Sequence, residues 1–86
     1  MKILVVEDEA GVAQFIEQGL RESGYAVDVA RDGMEGRDYA LAIQYDAIVL
    51  DIMLPRMNGL EVLHEIRDQR VKTPVLLLTA RDGVDD

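Results

Sequence analysis

The sequence contains no cysteine, so disulfides and thiolate metal sites are excluded. It is also short of positive charge: nine lysines and arginines stand against seventeen aspartates and glutamates, a formal charge of -8. Arg21, Arg31, Arg37, Arg56 and Arg67 are scattered singly, which leaves no basic stripe to release counterions from a duplex, so direct DNA binding is not expected. Cations and basic partner surfaces suit this balance better. Long apolar runs are missing as well. Ile3 to Val6 is too short for a signal peptide or a membrane span and runs straight into Glu7-Asp8-Glu9, so a soluble, cytoplasmic protein with no membrane contact is expected. Gly33, Gly36 and Gly59 lack the spacing after a strand that a dinucleotide or P-loop phosphate cradle needs. There is no internal repeat, low-complexity tract or linker, and 86 residues suit one small domain with a thin stability margin.

What the chain does have is alternation. Short apolar runs are separated by longer amphipathic stretches, the pattern of βα units on a parallel sheet. Ile3 to Val6 is an unbroken aliphatic run, as for a strand covered on both faces. Val12, Phe15, Ile16, Gly19 and Leu20 then recur at helical spacing and predict the core face of a first helix, closed by Gly24. Ala26 to Ala30, with valines around Asp28, reads as an edge strand. Asp32-Gly33 turns the chain into a weaker helix around Tyr39, Ala40 and Ile43, the Asp32 carboxylate serving as a cap. Ala47 to Leu50 is a strand that ends on Asp51. A loop over 52–59, fixed by Pro55 and Gly59, leads to a third helix whose predicted core stripe is Leu60, Leu63 and Ile66. Thr73-Pro74 opens a last strand, Val75 to Leu78, followed by a polar tail over 81–86.

Open parallel sheets bind ligands outside the carboxyl ends of their strands, so the residues just past each apolar run matter most. The first run ends at Glu7 and Asp8, the third at Asp51, the fourth at Thr79. Singly, each acid reads as an ordinary turn former or helix cap. Together they point to a site. If the first and third strands are neighbours, their carboxylates converge and repel until a cation joins them. Hard oxygen ligands with room left for water or phosphate suit Mg²⁺, or Mn²⁺ in its place. His64 beside Leu63 is expected to be an ordinary surface side chain, and Met34, Met53 and Met57 to be packing or loop residues.

Three ordered segments resemble the response-regulator receiver family, and more closely its OmpR/PhoB branch with winged-helix output domains. They are Ile3-Leu4-Val5-Val6-Glu7-Asp8-Glu9; Asp51-Ile52-Met53-Leu54-Pro55 with Met57-Asn58-Gly59; and Thr73-Pro74-Val75-Leu76-Leu77-Leu78-Thr79-Ala80-Arg81. The resemblance implies an α/β, flavodoxin-like (CheY-like) parallel sheet with helices on both faces. Over this chain it gives β1-α1-β2-α2-β3-α3-β4 in the order 2-1-3-4. It also implies that Asp51 accepts a phosphoryl group from a sensor histidine kinase. Asp8 would then hold Mg²⁺ directly, Glu7 largely through water, and the Met53 backbone carbonyl would complete the protein ligands. Thr79 would be the switch hydroxyl that bonds a phosphoryl oxygen, and Ala80 a small residue that leaves the phosphate room.

The family's lysine at the end of a fifth strand has no counterpart, since Lys2 and Lys72 stand in the wrong places. The 86 residues are accordingly expected to be the first two-thirds of a single receiver domain, with the fifth strand, the last helices and any output domain missing. Phosphorylation should be impaired, because a hydrogen bond to a charged group is worth roughly 1.5–3 kcal/mol. The chain would modify itself and would not be an enzyme acting on a separate substrate. A competing expectation is a self-associating fragment, dimerised or segment-swapped through an unprotected Val75–Leu78 edge, whose acidic site is idle. An aspartyl-phosphate hydrolase is disfavoured, because Asp51 is followed by Ile52-Met53 with no second acid two residues on.

Overall fold

The computed structural model describes residues 1–78. Along these residues the elements are β1 (Lys2–Val6), α1 (Ala10–Glu22), β2 (Ala26–Ala30), α2 (Gly33–Ala42), β3 (Ala47–Asp51), α3 (Gly59–Asp68) and β4 (Val75–Leu78). The four strands form one parallel sheet in the order β2-β1-β3-β4, as expected.

The aliphatic run of β1 lies at the centre of the sheet, and Leu4, Val5 and Val6 are inaccessible to solvent. Alternation along the strands splits the core in two. Leu4, Val6, Ile48 and Leu50 pack with Ala40 of α2 and with Val62 and Ile66 of α3. Ile3, Val5 and Val27 pack on the other face with Ile16 and Leu20 of α1. Tyr45 is buried in the first cluster and donates its hydroxyl to Asp28 Oδ2 at 2.7 Å. Burial, and then the Asp28 acceptor, push the phenol well above its ordinary range, so it stays protonated.

The helix ends follow from local chemistry. Asp32 caps α2 by accepting the Glu35 N–H, as its place before Gly33 suggests. Asn58 and Glu61 make a reciprocal capping box at the start of α3. Gly24, at φ +94°, ends α1 with the Gly24 N–H on the Arg21 carbonyl and the Tyr25 N–H on the Leu20 carbonyl.

Two of the predicted core stripes hold in part: Ile16, Leu20, Leu63 and Ile66 pack on the core, while Val12, Phe15 and Leu60 turn outward. Phe15 is 79% exposed and Val12 42%, while Ala13 is buried and Ile16 and Leu20 are half-buried toward the sheet. Phe15 lies two residues beyond Ala13, about 200° round the helix, so the helix that seats Ala13 must point Phe15 outward. In α3 the same geometry buries Val62 with Ile66 and leaves Leu60 52% exposed. On β4, Leu76 sits in register with Val49 on the α1 side but is 63% exposed, because α1 lies over β1 and β2.

Helix α2 approaches β1 closely. A Cβ on Gly36 would stand 2.6 Å from Val6 Cγ1, whereas a Cβ on Gly19 in α1 would meet nothing within 4 Å. Gly36→Ala gains helix propensity of about 1 kcal/mol but forces a buried overlap costing about 1–3 kcal/mol, so a net loss is expected. Gly19→Ala should gain about 0.5–1 kcal/mol with no such penalty. Urea denaturation of both variants reads these opposite signs, and a stabilised Gly36→Ala would refute the close packing.

Candidate metal centre

The register fixes the site before any side chain is considered. Val6 pairs with both Ala30 and Leu50, and Asp51 pairs with Leu78, so the strands end at one level. Glu7 and Asp51 each follow a residue of the α2/α3 core, and alternation turns both to the same side of the sheet. One carboxylate oxygen each from Glu7, Asp8 and Asp51 lies within 4.8 Å of the others. Glu7 is 3% and Asp51 4% exposed, while Asp8 is open to solvent.

Short bonds hold this arrangement. The Met53 N–H donates to Asp51 Oδ1 at 3.1 Å, and the Glu9 N–H donates to Glu7 Oε2 at 2.9 Å. The Glu7 N–H extends the β1–β2 ladder to the Ala30 carbonyl at 3.0 Å. Behind Asp51 the first residue of α3 must be glycine, since a Cβ on Gly59 would meet the Asp51 carbonyl oxygen. The Gly59 N–H instead donates to the Ile52 carbonyl at 2.9 Å, which closes the 52–59 loop against the strand end.

At a separation of 4.8 Å, two unit charges repel by about 3 kcal/mol at an effective dielectric constant of about 20. Burial raises the Glu7 carboxyl above its ordinary value; the Glu9 N–H opposes this, and the nearby charges of Asp51 and Asp8 add to the rise. A divalent cation relieves both costs, and an all-oxygen donor set with one arm open to solvent fits Mg²⁺. The chemistry of these residues therefore fits the ion that the resemblance implies.

The other predicted positions fall as follows. Met53 lies in the loop beside Asp51, with its side chain exposed. Thr79 and Ala80 lie outside the described residues. Lys2 stands at the far end of β1, with its Nζ 3.8 Å from Asp28, and Lys72 precedes β4, so neither reaches the acids. His64 is a surface residue, 3.6 Å from Asp68 one turn on. Arg31 was not singled out from the sequence, yet its Nη2 donates to the Asp8 carbonyl at 3.0 Å. Only its place just after β2 hinted at this.

A family model for the response regulator receiver domain matches residues 3–86. The chain belongs to the response regulator receiver family. It is 45% identical over 86 residues to the transcriptional regulatory protein DltR of Streptococcus agalactiae, covering 100% of this chain and 38% of that protein. It is 48% identical over 86 residues to the transcriptional regulatory protein HprR of Escherichia coli, again 100% of this chain and 38% of the relative. This receiver sequence thus spans well under half the length of those relatives. Its fold matches the receiver domain of a Pseudomonas aeruginosa sensor histidine kinase, solved with a magnesium ion coordinated in the active site cleft. That match has a TM-score of 0.90 at 38% identity, over 93% of this chain and 67% of that one.

The raised Glu7 carboxyl makes a signed prediction for the protein in EDTA. A folded value above the ordinary 4.5 means that the folded state binds the extra proton first. The stability tied to Glu7 is fully present below pH 4.5 and is lost as pH rises through the raised value. Relative to Glu7→Gln, the wild type should gain stability as pH is lowered from 7 toward 4.5. A difference between the two denaturation curves that does not change with pH contradicts the crowding of the acids.

Proposed function

We propose that this chain is the phosphoacceptor module of a two-component response regulator, and that Asp51 carries the phosphoryl group. The observation that carries the reading is the meeting of Glu7, Asp8 and Asp51 from two neighbouring strand ends. An Asp51 carboxylate oxygen attacks the phosphorus of a phosphohistidine on a sensor histidine kinase. The P–N bond breaks, the imidazole leaves, and an aspartyl phosphate remains. Burial against the β3 end fixes the attacking oxygen, and the Met53 N–H on Oδ1 restricts its rotation. Asp8, Asp51 and the Met53 carbonyl would hold Mg²⁺, with Glu7 acting through water and Mn²⁺ accepted by the same donors. When bound, the cation neutralises charge on the phosphoryl oxygens. On the family pattern, the Thr79 hydroxyl then bonds a phosphoryl oxygen and Ala80 leaves it space.

The chain modifies itself in this scheme and is not an enzyme with a separate substrate. Lys2 and Lys72 stand away from the acids and do not supply the family's lysine. We assign the chain to the cytoplasm on the family alone; among the described residues no helix is long and apolar enough to cross a membrane. A second reading has one observation in its favour. Among the described residues β4 forms a sheet edge, and Leu76 stands 63% exposed on it, which suits self-association of an idle fragment through Val75–Leu78.

Treatment with acetyl phosphate and Mg²⁺ followed by intact-mass spectrometry separates the readings. One phosphoryl adduct is expected on the wild type and none on Asp51→Asn or Asp8→Asn. An unmodified wild type whose sedimentation shifts to dimer with rising concentration would instead support the idle fragment.

A further inference from the structure

We infer that Arg31 is a positioning residue for the metal-holding loop, acting through the main chain of Asp8; this rests on the cation reading above. The β1–β2 ladder makes its last backbone bond from the Glu7 N–H to the Ala30 carbonyl, at 3.0 Å. Beyond it the chains diverge, one toward α1 and the other toward α2. The Arg31 side chain carries the pairing one residue further, its Nη2 donating to the Asp8 carbonyl at 3.0 Å. The main chain of Arg31 is itself fixed. Its N–H donates to Glu35 Oε1 at 2.7 Å, and the Glu35 N–H donates in turn to Asp32 Oδ1 at 2.8 Å, so the bracket stands on the capped start of α2.

Asp8 needs such a bracket more than its partners do. Glu7 and Asp51 are buried and held by packing, whereas Asp8 is exposed on the loop and its carboxylate is aimed by its backbone. On one side of it the Glu9 N–H is tied to the Glu7 carboxylate, and the Arg31 bond ties its own carbonyl. Groups that orient a metal's ligands without touching the metal commonly set its affinity.

Two effects of Arg31 have opposite signs. Its positive charge repels an incoming cation, so removing it should tighten binding. Its hydrogen bond fixes the loop, so removing it should weaken binding. The guanidinium is exposed and bonds the carbonyl, not the carboxylate, so water and salt screen the repulsion while the geometric constraint persists. Orientation is the larger effect.

Mn²⁺ binding to the intact protein, read from the loss of the free-ion electron paramagnetic resonance signal and repeated with Mg²⁺ as competitor, decides the sign. Arg31→Ala should bind Mn²⁺ about 5-fold more weakly, less than the about 10–100-fold usual for such groups because the bond is open to water. Arg31→Lys, which keeps the charge and an N–H donor, should recover part of the lost affinity, and all three proteins should melt alike in EDTA. Equal or tighter binding by Arg31→Ala overturns the inference, as does failure of Arg31→Lys to rescue or a lower EDTA melting temperature for Arg31→Ala. A wild type without saturable Mn²⁺ binding overturns the cation reading and this inference together.

Discussion

Glu7 just past β1 and Asp51 at the end of β3 stand on neighbouring strands that end at one level, and the register brings their carboxylates together. Val6 pairs with Leu50, so the next residue on each strand carries its acid to the same height and the same side. Asp8 joins them from the loop, within 4.8 Å. Such crowding is costly to a protein with little core to spare, because repulsion between two buried acids is a sizeable part of a small domain's stability. The fold tolerates the cost because the strands beneath are anchored by side chains fully removed from water: Leu4, Val5, Val6 and Leu50. The crowding is a local strain of the kind that a divalent cation would relieve.

The surroundings of the acids are arranged to keep them in place. The Met53 and Glu9 N–H groups turn two loops back onto the carboxylates they follow. Gly59 lets α3 start directly behind Asp51, and Arg31 reaches across the gap where β1 and β2 part. Each of these constraints engages a main-chain group. They separate positioning, which the chain supplies in advance, from charge neutralisation, which it leaves to a ligand. Phosphoryl transfer calls for that division, since positioning and electrostatic stabilisation supply most of its catalysis.

Much of this was legible in the sequence, for physical reasons that can be named. The aliphatic runs of β1 and β3 suit strands covered on both faces, and open parallel sheets bind ligands outside the carboxyl ends of such strands, where Glu7, Asp8 and Asp51 stand. Asp32 announced a helix start by its side-chain chemistry, whereas the Asn58 capping box was not singled out. Helix orientation was less legible. Helical spacing set Phe15 and Leu60 among the core residues, yet Ala13 and Val62 take the buried positions. Arg31 could not be foreseen, because the reach of an exposed side chain to a carbonyl 23 residues away is set by the tertiary fold. Thr79 and Ala80 fall outside the described residues, and their roles rest on the family pattern.

The most direct measurement is a crystal structure of the protein grown with Mn²⁺, located by its anomalous scattering. One ion should lie about 2.0–2.2 Å from carboxylate oxygens of Asp8 and Asp51 and from the Met53 carbonyl, the separation expected of a small hard cation. An ion bound elsewhere, or Glu7, Asp8 and Asp51 splayed apart with no ion between them, would contradict the shared-cation site on which the functional reading stands.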